Sequence, residues 1–253
     1  MIQLYNGDCL EVMKQIPDKS VDMILCDLPY GTTRNKWDVI IPFDELWKNY
    51  NRIIKDRGAI VLTATQPFSS KLVCSNIDNF SYEWVWVKSK ITGVLNAKKM
   101  PVRKHEQILV FNKPKIYNPQ GLVINGTVTK QGSSSSNYGK RDTKQYIQEF
   151  SNYPRDVLEI ASEGKTVHPT QKPVALMEYL IKTYTNEGDL VLDNCMGSGS
   201  TGVACKKTNR NFIGIEIDKQ YFDNAEKRIN DTEFKGDRTI FDFEDLFKKE
   251  INK

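Results

Sequence analysis

The sequence has no apolar run approaching the roughly 20 residues a membrane-spanning helix needs, so a transmembrane protein is not expected. Its first ten residues include Asp8 and lack an apolar stretch behind a basic start, so no secretory leader is expected. There is no CxxC pair. The five cysteines (Cys9, Cys26, Cys74, Cys195 and Cys205) are an odd number, which fits reduced thiols serving as small core hydrophobes and argues against zinc or another metal. Histidine is scarce, and neither His105 nor His168 lies in an evident proton-transfer setting. No internal repeat is visible. These absences leave a cytoplasmic protein, and 253 residues suffice for one catalytic body with an insertion, or for one large and one small domain.

What is present is a strand with chemistry at its end. The apolar run Val21-Asp22-Met23-Ile24-Leu25-Cys26 reads as a buried strand, and Asp27-Leu28-Pro29-Tyr30-Gly31 follows it. In α/β proteins the carboxyl ends of such strands are where ligands bind. A carboxylate, a proline-stiffened turn and a tyrosine supply an acceptor, a rigid backbone carbonyl and a stacking face, enough to hold a planar amine. Much later, Asp189-Leu190-Val191-Leu192-Asp193 runs into Gly197-Ser198-Gly199-Ser200-Thr201-Gly202, a strand followed by a glycine-rich loop that can admit a nucleoside cofactor.

The remaining elements read in order. Ile2 to Tyr5 is a strand and Asp8 to Ile16 a helix. Phe43 to Ile54 has helical spacing, Gly58 to Ala64 is a buried strand, and a helix surrounds Pro67 to Cys74. Tyr82 to Lys88 and Gln107 to Phe111 are strands. From Asn112 to about Thr166, prolines, scattered glycines and the low-complexity run Gln131-Gly132-Ser133-Ser134-Ser135-Ser136-Asn137 mark an excursion from the core with a mobile loop at its centre. A helix from Val174 to Tyr184 follows, with Pro173 suited to its first turn. The Leu190 strand, a helix through Ala204 and Lys206, a strand Phe212 to Glu216 and a helix Tyr221 to Ile229 complete the pattern. The final stretch, 231–253, is a tail with a surface helix.

The net charge of +4 is unremarkable, but eight basic residues lie between Trp86 and Ile116, where Glu106 is the only acid. Lys88, Lys90, Lys98, Lys99, Arg103 and Lys104 beside the amine pocket form a rim suited to phosphate, hence to DNA.

Two cofactor readings compete on the glycine loop. Gly197, Gly199 and Gly202 match dinucleotide-binding spacing, and Glu216 lies downstream at a distance suited to ribose hydroxyls, so a nicotinamide-dependent dehydrogenase is one alternative. Only 51 residues follow Gly202, too few for the rest of a doubly wound sheet. The partner strands are therefore expected upstream, in a circularly permuted order. The dehydrogenase reading leaves Asp27 to Gly31 and the basic segment without a role. A non-catalytic DNA-binding protein is the other alternative, and it has no need of both Asp27 and the glycine loop.

Taken together, these motifs resemble the β class of S-adenosylmethionine-dependent DNA amino-methyltransferases, in which a DPPY-type motif comes first, a target-recognition segment follows and the cofactor motifs come last. Asp27-Leu28-Pro29-Tyr30 resembles the catalytic motif, with Leu28 replacing its first proline. Val167-His168-Pro169-Thr170-Gln171-Lys172-Pro173 resembles the cofactor motif that precedes the loop, and Asp193 to Thr201 resembles the loop, with Cys195 where the family usually has phenylalanine. The resemblance implies an α/β, Rossmann-like methyltransferase fold with a mostly parallel central sheet. Its parts would be a catalytic half (1–111), a target-recognition insertion (112–166), a cofactor-binding half of the same domain (167–230) and the tail. It implies S-adenosylmethionine as cofactor, DNA as partner and a bacterial or phage origin in a restriction–modification setting. A homodimer is left open.

By the same resemblance, Asp27 and the Leu28 carbonyl accept from the exocyclic amine of an extruded base, Pro29 fixes the turn and Tyr30 stacks on the base, with Trp37 a further aromatic that is read rather as core. Asp8 and Cys9 lie near the cofactor adenine, and Gly197 and Gly199 admit the methionine part. Glu216 holds the ribose, Asp193 faces the amino group, Thr201 closes the loop, and Thr170, Gln171 and Lys172 lie near the carboxylate. His168 is read as structural. The aspartate that opens the motif favours adenine N6, with cytosine N4 as the alternative.

Overall fold

The structure, a computed structural model, describes residues 1–33, 35, 38–130, 145–164 and 171–234. In chain order its elements are β1 (Ile2–Asn6), α1 (Cys9–Met13), β2 (Val21–Cys26), α2 (Phe43–Ile53), β3 (Ile54–Ala64), α3 (Phe68–Cys74), β4 (Phe80–Thr92), β5 (Arg103–Phe111), β6 (Val123–Lys130), β7 (Gln145–Ser151), β8 (Val157–Glu159), α4 (Val174–Tyr184), β9 (Leu190–Asp193), α5 (Ser200–Lys207), β10 (Asn211–Glu216) and α6 (Lys219–Asn230). Trp37, His168, Thr170, the serine-rich run and the tail from 235 onward lie outside the described residues.

Eight strands form one sheet in the order β1-β10-β9-β2-β3-β5-β4-β8. Only β5 runs antiparallel to its neighbours; β1, β10, β9, β2 and β3 pair in parallel, and so do β4 and β8. The central strands are apolar on both faces, as parallel strands covered by helices on both sides must be. Along β2, Met23 and Leu25 point into a core shared with α4, α5 and α6, while Ile24 and Cys26 point into a second core shared with α2 and α3. The helices follow from the same burial. In α2, Leu46, Trp47, Tyr50 and Ile53 recur at helical spacing and are all buried. Asp218 caps α6 by accepting from the Gln220 and Tyr221 amides.

The β9–β2 pair is the topological switch point. The chain leaves β2 toward β3 on one side and leaves β9 toward β10 on the other, which opens a crevice above the carboxyl ends of the two strands. The permuted order expected from the motifs is thus realised, with the late strands β9 and β10 seated between β1 and β2.

The excursion after β5 divides into two parts. β6 and β7 pair with each other as a separate antiparallel ribbon. β8 returns to the main sheet as the edge strand beside β4, anchored by the Trp86 indole, which donates to the Ile160 carbonyl at 2.8 Å. That three-residue strand lacks the length and apolar content that mark a strand in sequence. β3 also starts earlier than expected, at Ile54, directly from the end of α2. No helix among the described residues is long and apolar enough to cross a membrane.

Candidate active site

A cleft of about 640 Å³ lies over the carboxyl ends of β2, β9 and β10. Among the residues lining it are Asp8, Cys9, Asp27, Leu28, Pro29, Tyr30, Gln171, Lys172, Asp193, Gly197, Thr201 and Glu216, so it gathers every described catalytic and cofactor residue expected from sequence except Gly199. Thr170 lies outside the described residues.

At the β2 end, Asp27 Oδ1 accepts from the Thr63 hydroxyl at 2.5 Å and from the Tyr30 hydroxyl at 2.6 Å. Its Oδ2 accepts from Lys172 Nζ at 2.5 Å. Tyr30 stacks on Phe68 with ring centroids 4.9 Å apart, so one face of the ring is already covered. The turn beyond it is tied by Asp38, whose carboxylate accepts from the Gly31, Thr32 and Thr33 amides at 2.8, 2.9 and 2.6 Å. Burial works against that carboxylate, but the Thr33 hydroxyl and the three amides outweigh it and lower its pKa.

Two expected residues take other places. Lys88, expected to touch phosphate, is buried at 8% exposure with its ammonium 3.0 Å from Glu106 Oε1, the residue that β5 sets opposite Trp86 two positions earlier on β4. Lys172, expected beside the cofactor carboxylate, lies at the β2 end of the cleft. Its ammonium joins Asp27 and stands 3.3 Å from Glu106 Oε2, at ion-pair range but without an aligned hydrogen bond. Burial alone would lower the Lys172 pKa, but Asp27 and Glu106 more than offset it and raise it. Burial likewise pushes Glu106 up, and the Lys172 and Lys88 charges more than reverse that. The result is a buried row of alternating charge, Lys88, Glu106, Lys172 and Asp27.

At the β9–β10 end the arrangement differs. Asp193 accepts from the Thr201 hydroxyl at 2.6 Å and the Cys195 amide at 3.1 Å. Burial raises its pKa to about 6. Glu216 accepts from the Gly197 amide at 2.8 Å and the Asp218 amide at 2.9 Å, and its pKa is also raised by burial. Gly197 holds φ at +50°, and a Cβ added there would meet nothing within 4 Å. Gly202 is required by close approach, since an added Cβ would lie 2.4 Å from Ile229 Cδ1 and 2.7 Å from Phe212 Cε1. Asp8 caps α1 by accepting from the Leu10 amide at 2.7 Å.

The basic rim is divided. Lys98, Lys99, Arg103 and Lys104 are exposed between and along β4 and β5, while Lys90 donates to the Glu163 carbonyl at 2.8 Å. Thr63, Asp38 and Glu106 were not anticipated as site residues. For Glu106 a signal existed, as the lone acid in the basic segment; for Thr63 and Asp38 the sequence carries none, since each acts through contacts made by the fold. Among the described residues no cluster of three or more His, Cys, Asp or Glu side chains gathers as a metal site.

The switch-point crevice joins two polar ends, one at β2 and one at β9–β10, in the fold of a transferase that the family comparison identifies. The chain belongs to the N6/N4 DNA methylase family, whose profile matches residues 21–227. The DNA adenine methyltransferase YhdJ of Escherichia coli is 30% identical over 249 residues, covering 90% of this chain and 82% of YhdJ. The type II methyltransferase M.HpaI of Haemophilus parainfluenzae is 28% identical over 250 residues, covering 92% of this chain and 76% of M.HpaI. Among solved structures, M1.HpyAVI in complex with SAM matches with a TM-score of 0.61 at 30% identity, over 90% of this chain and 100% of that one. The cytosine-N4-specific PvuII DNA methyltransferase, at 17% identity, shares the fold with a TM-score of 0.65 over 90% of this chain and 86% of that one. Family membership sets aside the dehydrogenase and the non-catalytic readings.

Proposed function

We propose that this DNA methyltransferase acts on the exocyclic N6 of adenine, in a base extruded from the duplex, with Asp27, Leu28, Pro29 and Tyr30 at the reacting end. The observation that carries the reading is Asp27. Its Oδ1 is fixed by two hydroxyls and its Oδ2 is held by Lys172, and the residue lines a cleft of about 640 Å³. The leading aspartate and the likeness to a protein named as an adenine methyltransferase support adenine over cytosine N4.

The residues at the β9–β10 end fit S-adenosylmethionine. Asp193 and Glu216 are buried carboxylates that no ammonium or guanidinium neutralises among the described residues, an environment suited to a cationic ligand with ribose hydroxyls. When bound, S-adenosylmethionine supplies an electrophilic methyl group on a positively charged sulfur. Asp193 takes the amino group, Glu216 the ribose, and the Gly197 backbone leaves room for the methionine part. Asp8 and Cys9 border the adenine, while Gln171 stands at the mouth of α4.

The chain's own contribution to the reaction is to make a poor nucleophile better. An aromatic amine has its lone pair delocalised into the ring. Asp27 Oδ2 and the Leu28 carbonyl accept the two amine protons and draw the nitrogen toward a tetrahedral form, Pro29 fixes the carbonyl, and the free face of Tyr30 stacks the base. Asp38 holds the loop behind that turn. Lys98, Lys99, Arg103 and Lys104 contact backbone phosphates, which positions the duplex without selecting its sequence. The ribbon of β6 and β7 is the candidate for reading the sequence.

The test is incubation of the protein with unmethylated DNA and methyl-labelled S-adenosylmethionine, followed by digestion and nucleoside mass spectrometry. Label in N6-methyladenine is the expected result. Label in N4-methylcytosine would overturn the base assignment, and no label on any of several DNA sequences would overturn the proposal.

A further inference from the structure

Lys172 and Glu106 have no part in the scheme above, yet they occupy the base side of the cleft. A carboxylate offers about four lone-pair sites. On Asp27, Oδ1 uses both of its own on Thr63 and Tyr30, and Oδ2 uses one on Lys172, which leaves one acceptor site on Oδ2 among the described partners. An ammonium has three protons. On Lys172 one goes to Asp27 and a second faces Glu106 Oε2 at 3.3 Å, which leaves one donor uncommitted among the described residues. A free acceptor and a free donor therefore stand side by side, on atoms 2.5 Å apart. The ammonium also stands over the Tyr30 ring, 5.9 Å from its centroid.

We propose that Lys172 is a specificity-determining residue that donates to the ring nitrogen next to the target amine, N1 of adenine, while Glu106 is the positioning residue that holds the ammonium there. This deepens the methyltransferase assignment and rests on it. Asp27 and Lys172 together present an acceptor and a donor to the Watson–Crick edge of the extruded base, where adenine offers an N–H and an unprotonated ring nitrogen. Thymine and guanine offer the reverse, a carbonyl oxygen and a ring N–H, and would set a lone pair against Asp27 and a proton against Lys172. Cytosine shares the amino pattern at N3, so this pair separates amino bases from keto bases and leaves the choice between the two amino bases to the shape of the pocket.

Glu106 gives the arrangement its geometry. Glu106, itself anchored by Lys88 at 3.0 Å, stands 3.3 Å from the Lys172 ammonium and gives it a second anionic neighbour beside Asp27, which fixes where its remaining proton can point. Burial of these groups makes the placement rigid, with side-chain exposures of 9% for Lys88, 13% for Glu106 and 10% for Lys172.

The experiment pairs a change in the base with a change in the protein. The duplex is one whose single target adenine the wild-type protein methylates, with that adenine either intact or replaced by 1-deazaadenine, which keeps the amine and replaces N1 by C–H. Binding of both duplexes is measured by fluorescence anisotropy in the presence of S-adenosylhomocysteine, so the readout survives loss of turnover. Wild-type protein is expected to prefer adenine by about tenfold or more, as a hydrogen bond to a charged donor warrants. Lys172→Met is expected to bind the two duplexes equally. Glu106→Gln should reduce the preference, and Glu106→Asp should restore part of it. Equal binding by the wild type, or an undiminished preference in Lys172→Met, would overturn the inference. Failure of the wild type to methylate the unmodified duplex would instead overturn the underlying function, so the two failures are distinct.

Discussion

At the β9–β10 end of the cleft, Asp193 and Glu216 are buried among amides and hydroxyls, with no cation against either among the described residues. At the β2–β5 end, Asp27 and Glu106 alternate with Lys172 and Lys88 in a buried row with no net charge. The two ends share one cavity and one supporting sheet, yet one is prepared for a positive ligand and the other for a neutral one. Methyl transfer moves positive charge from the first to the second. The difference teaches that the division between cofactor and substrate is electrostatic as well as steric, and that it is set by where the lysines fall and not by where the acids fall.

The most severe way to break this division is Asp27→Ala. Methylation is expected to fall by at least about 100-fold, the usual loss when a group aimed at developing charge is removed, while S-adenosylmethionine binding measured by calorimetry is retained. Unchanged turnover would sink the catalytic assignment. At the other end, Glu216→Gln should weaken cofactor affinity by about 10-fold to 100-fold, the range for hydrogen bonds to a charged group, and leave DNA affinity unchanged.

A gentler probe uses pH. Asp193 has its folded-state pKa raised to about 6 by burial, so its neutral form predominates only below that value. Its contribution to the stability of the cofactor-free protein is full below the ordinary carboxylate range and is lost as pH rises through about 6. A cationic cofactor prefers the ionised form, so affinity should decline as pH is lowered through the same value. Binding calorimetry across that window, with Asp193→Asn expected to lessen the pH dependence, checks the second sign, and denaturant unfolding of the cofactor-free protein checks the first.

Outside the cleft, replacing Lys98, Lys99 and Arg103 by glutamine should reduce the slope of log binding constant against log salt by about 0.9 for each phosphate no longer neutralised, with cofactor affinity unaffected. Gly202→Ala, which sets a methyl group against the fully buried Ile229 and Phe212, should destabilise the fold by about 1–3 kcal/mol as measured by denaturant unfolding.

Much of this was legible in the chain itself. The motif after β2 and the glycine loop after β9 lie at strand ends because their apolar runs specify buried strands, and their order along the chain already implied a permuted sheet. The burial of Lys88 and Lys172 was not legible, for one reason. A lysine in sequence is most often a solvated surface group, and its burial depends on an acid brought from a distant strand. Glu106 was conspicuous as the lone acid in a basic stretch, but nothing local to it indicates that it faces Lys172, 66 positions later in the chain. β8 escaped notice because a three-residue edge strand draws its stability from β4 and not from its own composition. Asp38 and Thr63 became functional through the fold alone.

The permuted strand order also governs which neighbours each strand still lacks as the chain leaves the ribosome. β1 finds its strand neighbour in β10, and one edge of β2 stays open until β9 is made. The half that would hold the base therefore emerges with its sheet incomplete, and the cofactor loop arrives only with the last strands to be seated. A nascent chain cannot be methylation-competent before those strands are threaded into the middle of the sheet, so newly made enzyme remains inert until its architecture is closed.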